Sequence, residues 1–371
     1  MTCKEIIKYI EDWAPKEIAW QKDNVGLQVG SVERKIKNIL LSLELTDSVL
    51  ENAVKEDCNL IITHHPLLFH PLKKIDLAKD KNSRLIEKLI KNDITLYSAH
   101  TNLDFTSGGV SFQLAGMLKL NNIKFLVNST SNQFKLVVFV PLTHVEEVSK
   151  AIFEAGGGLI GEYSNCSFRT EGTGTFKGSA SSNPSVGKKE TDEKVSEVRL
   201  EVLVNKWNLN KVVSSIKISH PYEEAAYDVY PLENENKKYG AGAIGELEEP
   251  LAQDRFLSFI SEQLDIKHFR YSEGTGKPVK KVAVCGGSGS DLISDAVKSG
   301  ADAFITADIK YHAFHDAWGE ILLIDCGHYE TEIHSLTEVK KRLSAFIASR
   351  NEDVKIFKYG GSTNPINFFN N

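Results

Sequence analysis

The chain of 371 residues is poor in cysteine, and its five cysteines form no Cys-x-x-Cys pair. A thiolate zinc site and a disulfide framework both need closely or regularly spaced cysteines, so the sequence argues against both. We expect a reducing compartment and interpret the three cysteines that adjoin apolar runs as small core residues. These residues are Cys58, Cys285 and Cys326.

Long apolar runs and an excess of positive charge are also lacking. No segment approaches the roughly 20 apolar residues that span a bilayer, and the charged start of the chain has no apolar signal-peptide core. The formal net charge of -6 provides no electrostatic footprint for nucleic acid. We therefore expect a cytoplasmic protein that binds no membrane and for which nucleic acid is an unfavourable partner.

Both ends of the chain alternate between strand-like and helix-like segments. The length exceeds that of a usual single core, which predicts two or three domains. Apolar strands separated by single helices pair in parallel through crossover helices. The predicted strands are 36–45, 60–62 and 94–99 in the first part, and 279–285, 303–306 and 321–326 in the last. The pattern predicts an α/β core of two similar halves.

The middle of the chain has a different pattern. Predicted strands at 133–141, 196–204 and 226–230 accompany predicted helices at 144–155 and 208–219, with a segment 159–167 and a loop rich in Gly and Ser at 171–193 that we expect to be mobile. This order matches the βαββαβ ferredoxin-like split, an α+β module. We predict a first half at 1–126, an inserted domain at 127–246 and a second half at 247–371.

Histidines and carboxylates follow three of the predicted strands. His64 and His65 come directly after the strand at 60–62, and His100 and Asp104 follow the strand at 94–99. Open α/β sheets bind ligands at the carboxyl ends of their strands, so we expect these side chains to share a cleft. Pro66 favours an extended backbone at His65, and because it has no N–H group it cannot continue the hydrogen bonds between strands.

The third strand end carries His328 and Glu332, which would share one face of a helix beginning there. Nitrogen and oxygen donors without thiolate suit a hard or borderline divalent cation. Five donors exceed the needs of one tetrahedral ion with an open position, whereas two ions bridged by a carboxylate would use all of them. The five are His64, His65, Asp104, His328 and Glu332.

Other readings stay open at several positions. A histidine after a strand is often a hydrogen-bonded turn residue, and His100 could be a ligand or could orient Asp104. His312 could donate a proton or contact substrate from a helix, and Lys310 with Asp308 could position an anion or be solvated. The glycine-rich turn 285–291 could cradle a phosphate or allow close packing.

At these residues the sequence resembles the Nif-three-like dinuclear-metal family, whose bacterial members are often labelled GTP cyclohydrolase I type 2 homologues. The resemblance rests on THHP at 63–66, AHTNLD at 99–104 with GGV at 108–110, and GH at 327–328 followed by Glu332. DNVGL at 23–27 and DIKYH at 308–312 are also similar. SHPYEE at 219–224 makes the inserted module similar to a PII-like or CutA-like domain; a subunit contact or a second ligand site could use this loop.

The resemblance implies that the five donors hold two divalent ions (zinc, manganese, iron or nickel). It also implies a homohexamer whose sites face an internal cavity. Our first hypothesis is a metal-dependent hydrolase of a nucleotide, small heterocycle, cyclic amide or phosphoester. It would act through a metal-bound hydroxide, with His312 assisting proton transfer. The alternative is a non-enzymatic, metal-loaded ring that senses a small molecule through the inserted domain.

Overall fold

The computed structural model describes residues 1–369, and the chain divides into two compact units. The main unit comprises Met1–Val127 and Tyr239–Asn371, and the inserted unit comprises Asn128–Lys238. Within the described residues, no helix is long and apolar enough to cross a membrane.

The part of the chain before the inserted unit contributes five helices and five strands to the described structure. They are α1 Cys3–Trp13, β1 Gly26–Val29, β2 Asn38–Ser42, α2 Asp47–Lys55, β3 Leu60–Thr63, α3 Lys81–Lys91, β4 Thr95–Ser98, α4 Thr101–Asp104, α5 Val110–Met117 and β5 Asn121–Ser129. Helix α2 is capped by Thr46, whose hydroxyl accepts from the Val49 amide. Thr46 has the extended backbone of an N-cap residue, whereas Asp47 lies in the first turn.

The middle and last parts of the chain supply the remaining described elements. The middle elements are β6 Gln133–Pro141, α6 Val145–Glu154, β7 Phe168–Lys177, β8 Asp192–Asn205, α7 Leu209–Ser219 and β9 Tyr227–Leu232. The last part forms β10 Asn236–Leu251, α8 Gln253–Leu264, β11 Arg270–Ser272, β12 Val279–Ser288, α9 Ile293–Lys298, β13 Ala303–Ala307, α10 Tyr311–Ala317, β14 Leu322–Asp325, α11 His328–Glu332, α12 Ser335–Ser349 and β15 Lys355–Lys358.

The first sheet of the main unit has the order β1-β4-β3-β2-β15. The strands from β4 to β15 are parallel, and β1 is antiparallel to β4. Leu41, Ile62 and Tyr97 pack with α1 and α12, whereas Leu40 and Ile61 pack with α2 and α3. Because both faces are covered, the central strands are continuous apolar runs in the sequence.

The second sheet has the order β11-β14-β13-β12-β10-β5, and its β12, β13 and β14 are parallel. Helices α5 and α8 cover the face that carries Val284 and Ile305, and α9 and α10 cover the face that carries Phe304 and Leu323. Two doubly covered sheets confirm the predicted α/β core of two similar halves.

The inserted unit is a four-stranded antiparallel sheet of order β7-β8-β6-β9. One face packs on α6 and α7 through residues such as Val138 and Leu200. The ferredoxin-like prediction is confirmed, but the predicted loop at 171–193 is wrong in its first part, which belongs to β7. Its Thr and Phe residues pair with β8 over ten positions, and this long-range pairing outweighs the loop preference of the glycines.

Candidate metal centre

The chain leaves β3 with two adjacent imidazoles. The His64 and His65 amides still bond to the carbonyls of Ser42 and Leu43, so the extended backbone continues one step beyond the strand. The His64 Nδ1 lies 2.8 Å from the Ala99 carbonyl oxygen, and the His65 Nδ1 lies 2.9 Å from the Glu44 Oε1. With each Nδ1 donating, the Nε2 atom of each neutral ring carries the lone pair that can bind an ion.

The end of β4 places His100 and Asp104 on the short helix α4 and its N-cap. The His100 Nδ1 lies 2.9 Å from the Asp23 Oδ1, and Asp23 also accepts from the amide and hydroxyl of Thr101. Burial opposes ionisation of Asp23, but the bonds from His100 and Thr101 outweigh it and lower the pKa of Asp23 to about 2. Asp23 is therefore a fixed negative charge that orients His100.

The end of β14 supplies His328 and Glu332 on α11, one helical turn apart, as predicted. The His328 Nε2 lies 3.0 Å from the Glu332 Oε1, and the His328 Nδ1 lies 2.6 Å from the Asp308 Oδ2. Gly327 precedes this helix with φ of 91°, a left-handed conformation that turns the chain from strand to helix.

These donor atoms converge on one place in the main unit. The His65 Nε2 lies 3.2 Å from the His328 Nε2 and 3.1 Å from the Glu332 Oε2. The His64 Nε2 lies 3.5 Å from the Asp104 Oδ1 and 3.6 Å from the Glu332 Oε1. Donor atoms that share an ion at about 2.0–2.2 Å lie about 3.0–3.6 Å apart, so the spacing matches a coordination shell.

Three buried polar atoms in this cluster make no hydrogen bond within the described residues. They are the His64 Nε2, the Asp104 Oδ1 and the Glu332 Oε2. Buried polar atoms normally have partners, and three such atoms in one small cluster of donors fit a bound cation. Two ligand groups can be drawn, His64–His65–His100 and His65–His328–Glu332, each with its donor atoms within 4.8 Å of one another.

The electrostatics of the cluster follow from its burial and its mixed charges. Burial raises the pKa of Asp104 to about 7. Burial alone would also raise the pKa of Glu332, but the three surrounding imidazoles hold it well below its ordinary value. Burial lowers the pKa values of His65 and His328, yet their carboxylate neighbours outweigh it and raise them to about 10 and about 9. Without an ion, protons therefore supply the positive charge.

The glycine-rich end of β12 packs against this cluster. A Cβ added at Gly287 would lie 2.2 Å from the Glu332 Oε1 and 3.2 Å from the His328 Nε2. The amides of Gly286 and Gly287 donate to the hydroxyls of Ser111 and Thr331. These two amides are therefore not free to bind a phosphate, and Gly286 and Gly287 serve close packing.

Sequence reasoning identified the converging residues but missed most of the groups that hold them. Glu44 follows β2, so the rule that found His64 and His100 at strand ends would also have found it. Glu44 in turn accepts from the Thr363 hydroxyl near the end of the chain. The sequence left anion positioning and solvation open for Asp308, and neither reading included its contact with His328.

His312 and Lys310 lie apart from these contacts. Both side chains are exposed. No hydrogen bond, ion pair or ring contact within residues 1–369 joins either to the cluster; the ring of His312 contacts that of Tyr311. A role for His312 in proton transfer and for Lys310 in substrate contact stays a prediction.

A cavity of about 260 Å³ opens beside His328. Its lining includes the Arg270 side chain, which pairs with the buried Asp325. Aromatic groups form another wall, where the rings of His268 and Phe368 lie 5.0 Å apart. A small molecule in this cavity would lie next to His328 and the candidate metal centre.

Comparison with known proteins adds to this geometry. Residues 1–365 match the family model described as Duf34/NIF3 (NGG1p interacting factor 3). A Halalkalibacterium halodurans protein named GTP cyclohydrolase 1 type 2 homolog is 39% identical over 365 residues, covering 98% of each chain. A Bacillus subtilis protein of the same name is 38% identical over 367 residues, again covering 98% of each. The crystal structure of a Bacillus cereus protein related to NIF3 matches with a TM-score of 0.85 and 38% identity, covering 100% of this chain and 99% of that one.

Proposed function

The chain belongs to the DUF34/NIF3 family, and we propose that it is a metal-dependent hydrolase with two divalent ions held by His64, His65, Asp104, His328 and Glu332. The observation that carries the proposal is that these donors converge on one place and that three of their buried atoms make no hydrogen bond. All the donors are nitrogen or oxygen, which suits zinc, manganese, iron or nickel.

The position of Glu332 supports two ions over one. Its Oε1 faces His64 and His328, and its Oε2 faces His65. A carboxylate whose two oxygens face different imidazoles has the arrangement of a bridging ligand. Its side chain is only 3% exposed, so this carboxylate is shielded from bulk water.

The neighbouring side chains would fix the ligands before any ion arrives. Glu44, Asp308 and Asp23 hold the Nδ1 atoms of His65, His328 and His100, which aims each Nε2 at the cluster. Divalent ions bound there would supply Lewis acidity and lower the pKa of water, the chemistry of a hydrolase.

The cavity beside His328 supports a small substrate. Its volume of about 260 Å³ lies just below the usual range of about 300–1,000 Å³ for small-molecule sites. Its Phe269 and Phe368 can stack against a flat ring, and its Arg270 offers a guanidinium to an oxygen. We propose hydrolytic opening of a base-sized heterocycle or of the ring of a nucleotide, in keeping with the name of the relatives.

Metal analysis beside a turnover screen tests this proposal. We expect about two ions per chain in anaerobically purified protein and fewer in the Glu332→Gln variant, because the amide loses the charge that bridges the ions. The exposed Glu320→Gln variant makes the same chemical change away from the cluster and should keep both ions. The loaded protein should hydrolyse GTP or a cyclic amide, and the Glu332→Gln variant should not.

Each outcome has a defined meaning. One ion or none in the native protein overturns the dinuclear centre. Two ions without turnover of nucleotides, cyclic amides or phosphoesters would overturn the hydrolase and leave the alternative, a metal-loaded binding protein.

A further inference from the structure

The inserted unit contains a second cavity, of about 610 Å³, formed by residues of that unit alone. This volume falls within the usual range of small-molecule sites, about 300–1,000 Å³. Its floor is the face of the sheet that points away from α6 and α7, and its walls are the loop after β7 and the turn at 222–226. It shares no lining residue with the candidate metal centre.

Strand alternation determines which side chains form the floor. Val198 and Leu200 of β8 face the helices, so Glu197 and Arg199 face the cavity. In the register of the sheet, Gly172 of β7 is the partner of Glu197. A Cβ added at Gly174 would lie 2.0 Å from the Glu197 Oε2, so the lack of a side chain at that position leaves room for the carboxylate.

Glu197 is a buried carboxylate without a cationic partner. It is only 8% exposed, and no ion pair within the described residues joins it to a lysine, arginine or histidine. Arg199, the nearest cation along the strand, instead bonds to the Glu201 Oε1 at 2.8 Å. The polar neighbour of Glu197 is the neutral hydroxyl of Tyr222, which is buried, faces the carboxylate and has no other hydrogen-bond partner within the described residues. Burial, the contact with the Glu197 carboxylate and its charge raise the pKa of Tyr222 above its ordinary value, so the hydroxyl offers Glu197 a proton donor but no positive charge.

The rest of the lining favours a positive ligand with an apolar body. Four glutamates line the cavity against a single arginine. The aromatic rings of Phe176 and Tyr222 also line it, and aromatic faces attract cations. The ring of Phe139 lines it as well, but the Arg199 guanidinium already lies over that ring at 5.9 Å. A hydrated metal ion gains little from such walls, whereas an organic cation uses both the carboxylate and the rings. The four glutamates are Glu171, Glu197, Glu223 and Glu224.

We propose that the inserted unit binds a small organic cation, an ammonium group on an aromatic body, with the ammonium against Glu197. A buried charge is costly when unpaired, and the ligand supplies the missing partner. The loop after β7 closes one side of the site, where the Asn183 amide donates to the Glu223 Oε1 at 2.9 Å. This inference does not depend on the proposed hydrolase function.

Ligand-observed NMR on the full chain tests the proposal. The probes are phenethylamine and tryptamine, each beside its carboxylate analogue, 3-phenylpropionate or indole-3-propionate, and its neutral amide. We expect the amines to bind and the carboxylates not to bind, because four glutamates repel an anion. Equal binding of amines and carboxylates, or no binding of either amine, overturns the proposal. If a second copy of the chain occupied the cavity, neither amine would bind.

Variants then locate the binding. Glu197→Gln keeps the shape of the side chain and should weaken amine binding about tenfold or more, since charge-assisted bonds are the strong ones. Glu154→Gln on α6 makes the same change outside the cavity and should leave binding unaltered. Phe176→Leu keeps apolar bulk but removes a ring, and should weaken the amines more than the neutral amides. Amine affinity unaltered in both Glu197→Gln and Phe176→Leu would place binding elsewhere and overturn the assignment.

Discussion

The candidate metal centre of the main unit and the cavity of the inserted unit bury carboxylates in opposite ways. The carboxylate oxygens of Glu332 lie 3.0 to 3.6 Å from the Nε2 atoms of three imidazoles, and a second group holds the Nδ1 atom of each of these three rings. Glu197 lies beside a tyrosine hydroxyl, at the floor of a cavity of about 610 Å³. The first arrangement leaves room for little more than ions, and the second leaves room for an organic molecule.

The difference shows what determines the kind of ligand that a buried charge selects. Where several strands end at one place, many donors converge and each can be oriented by a neighbour, which favours an ion with strict geometry. Where a charge projects from the middle of a sheet, its neighbours along the strand are spread out, and the remaining space is lined by the rings and glycines of adjacent strands. Changes that affect one arrangement should spare the other.

The largest expected effect comes from filling the space beside Glu332. Gly287→Ala would place a methyl group 2.2 Å from the Glu332 Oε1, at a residue with φ of 64°. We expect loss of bound metal and a decrease of about 1–3 kcal/mol in the free energy of unfolding, the usual cost of overpacking. Metal content per chain and denaturant unfolding measure the two effects.

Gly300→Ala is the matched control, because Gly300 has φ of 71° but no atom within 4 Å of its added Cβ. It carries the same backbone strain without the clash and should retain its metal. Equal metal loss in both variants would show that backbone strain, and not contact with Glu332, is responsible. Amine binding to the inserted unit should persist in both.

A smaller effect is expected from a residue that only orients a ligand. Glu44→Gln keeps an acceptor for the His65 Nδ1 but removes its charge. Such outer contacts typically contribute about 10–100-fold to metal affinity, so we expect a loss in that range with the same number of ions at saturation. Competition with a chelator of known affinity measures it. The exposed Glu51→Gln on α2 is the control, and an unchanged affinity in Glu44→Gln would contradict the assigned role.

Much of the fold and part of the site could be predicted from the sequence, and the missing parts have physical reasons. Apolar runs of the right length predicted the parallel strands, and their order predicted that His64, His65 and His100 would lie at one edge. The approach of His328 to His65 could not be derived from periodicity, because it depends on the packing of two sheets whose strands are more than 200 residues apart in the chain. Nothing in the local sequence of β15 predicted that this strand would pair with β2 in the first sheet.

The chain leaves β13 differently from the way it leaves β3. Asp308 has φ of 57° directly after the strand and turns the chain before α10 begins. Asp308 therefore reaches His328, and His312 lies on the exposed face of α10. The cavity of the inserted unit was also hidden, since its volume depends on how the loop after β7 folds over the sheet.

The histidines of the two units should respond to pH in opposite ways. In the metal-free main unit, His65 and His328 have pKa values of about 10 and about 9, so both carry a proton at neutral pH. Asp104, with a pKa of about 7, is about half protonated at that pH. Ions must displace these protons, and we expect release of about two to three protons per chain on full loading at pH 7. Calorimetric titration in two buffers of different ionisation enthalpy measures the number. Metal affinity should rise with pH up to about 9–10 and level off above it; release of no protons would contradict the protonated state.

The smallest effect is expected at His220 in the inserted unit. Its Nε2 lies 2.9 Å from the Phe139 carbonyl oxygen and its Nδ1 accepts from the Tyr222 amide, with no carboxylate bonded to the ring. Burial therefore lowers the pKa of His220 below its ordinary value, despite the more distant Glu197 charge. As the pH falls below about 6.5, the unfolded chain takes up a proton before the folded chain does, and the free energy of unfolding decreases.

The slope attributable to His220 is at most about 1.4 kcal/mol per pH unit, and it ends once the folded imidazole is also protonated. Urea unfolding at about pH 7.5 and about pH 5 measures this loss, and His220→Gln should reduce it, since glutamine does not titrate. Exposed His70→Gln in the main unit should leave the loss unchanged. An identical pH dependence in the native chain and in His220→Gln would mean that a neutral imidazole is not what supports Tyr222 at the cavity. His220 and His65 would then differ in their contacts but not in their protonation, because burial without a bonded carboxylate would not have kept the His220 imidazole neutral.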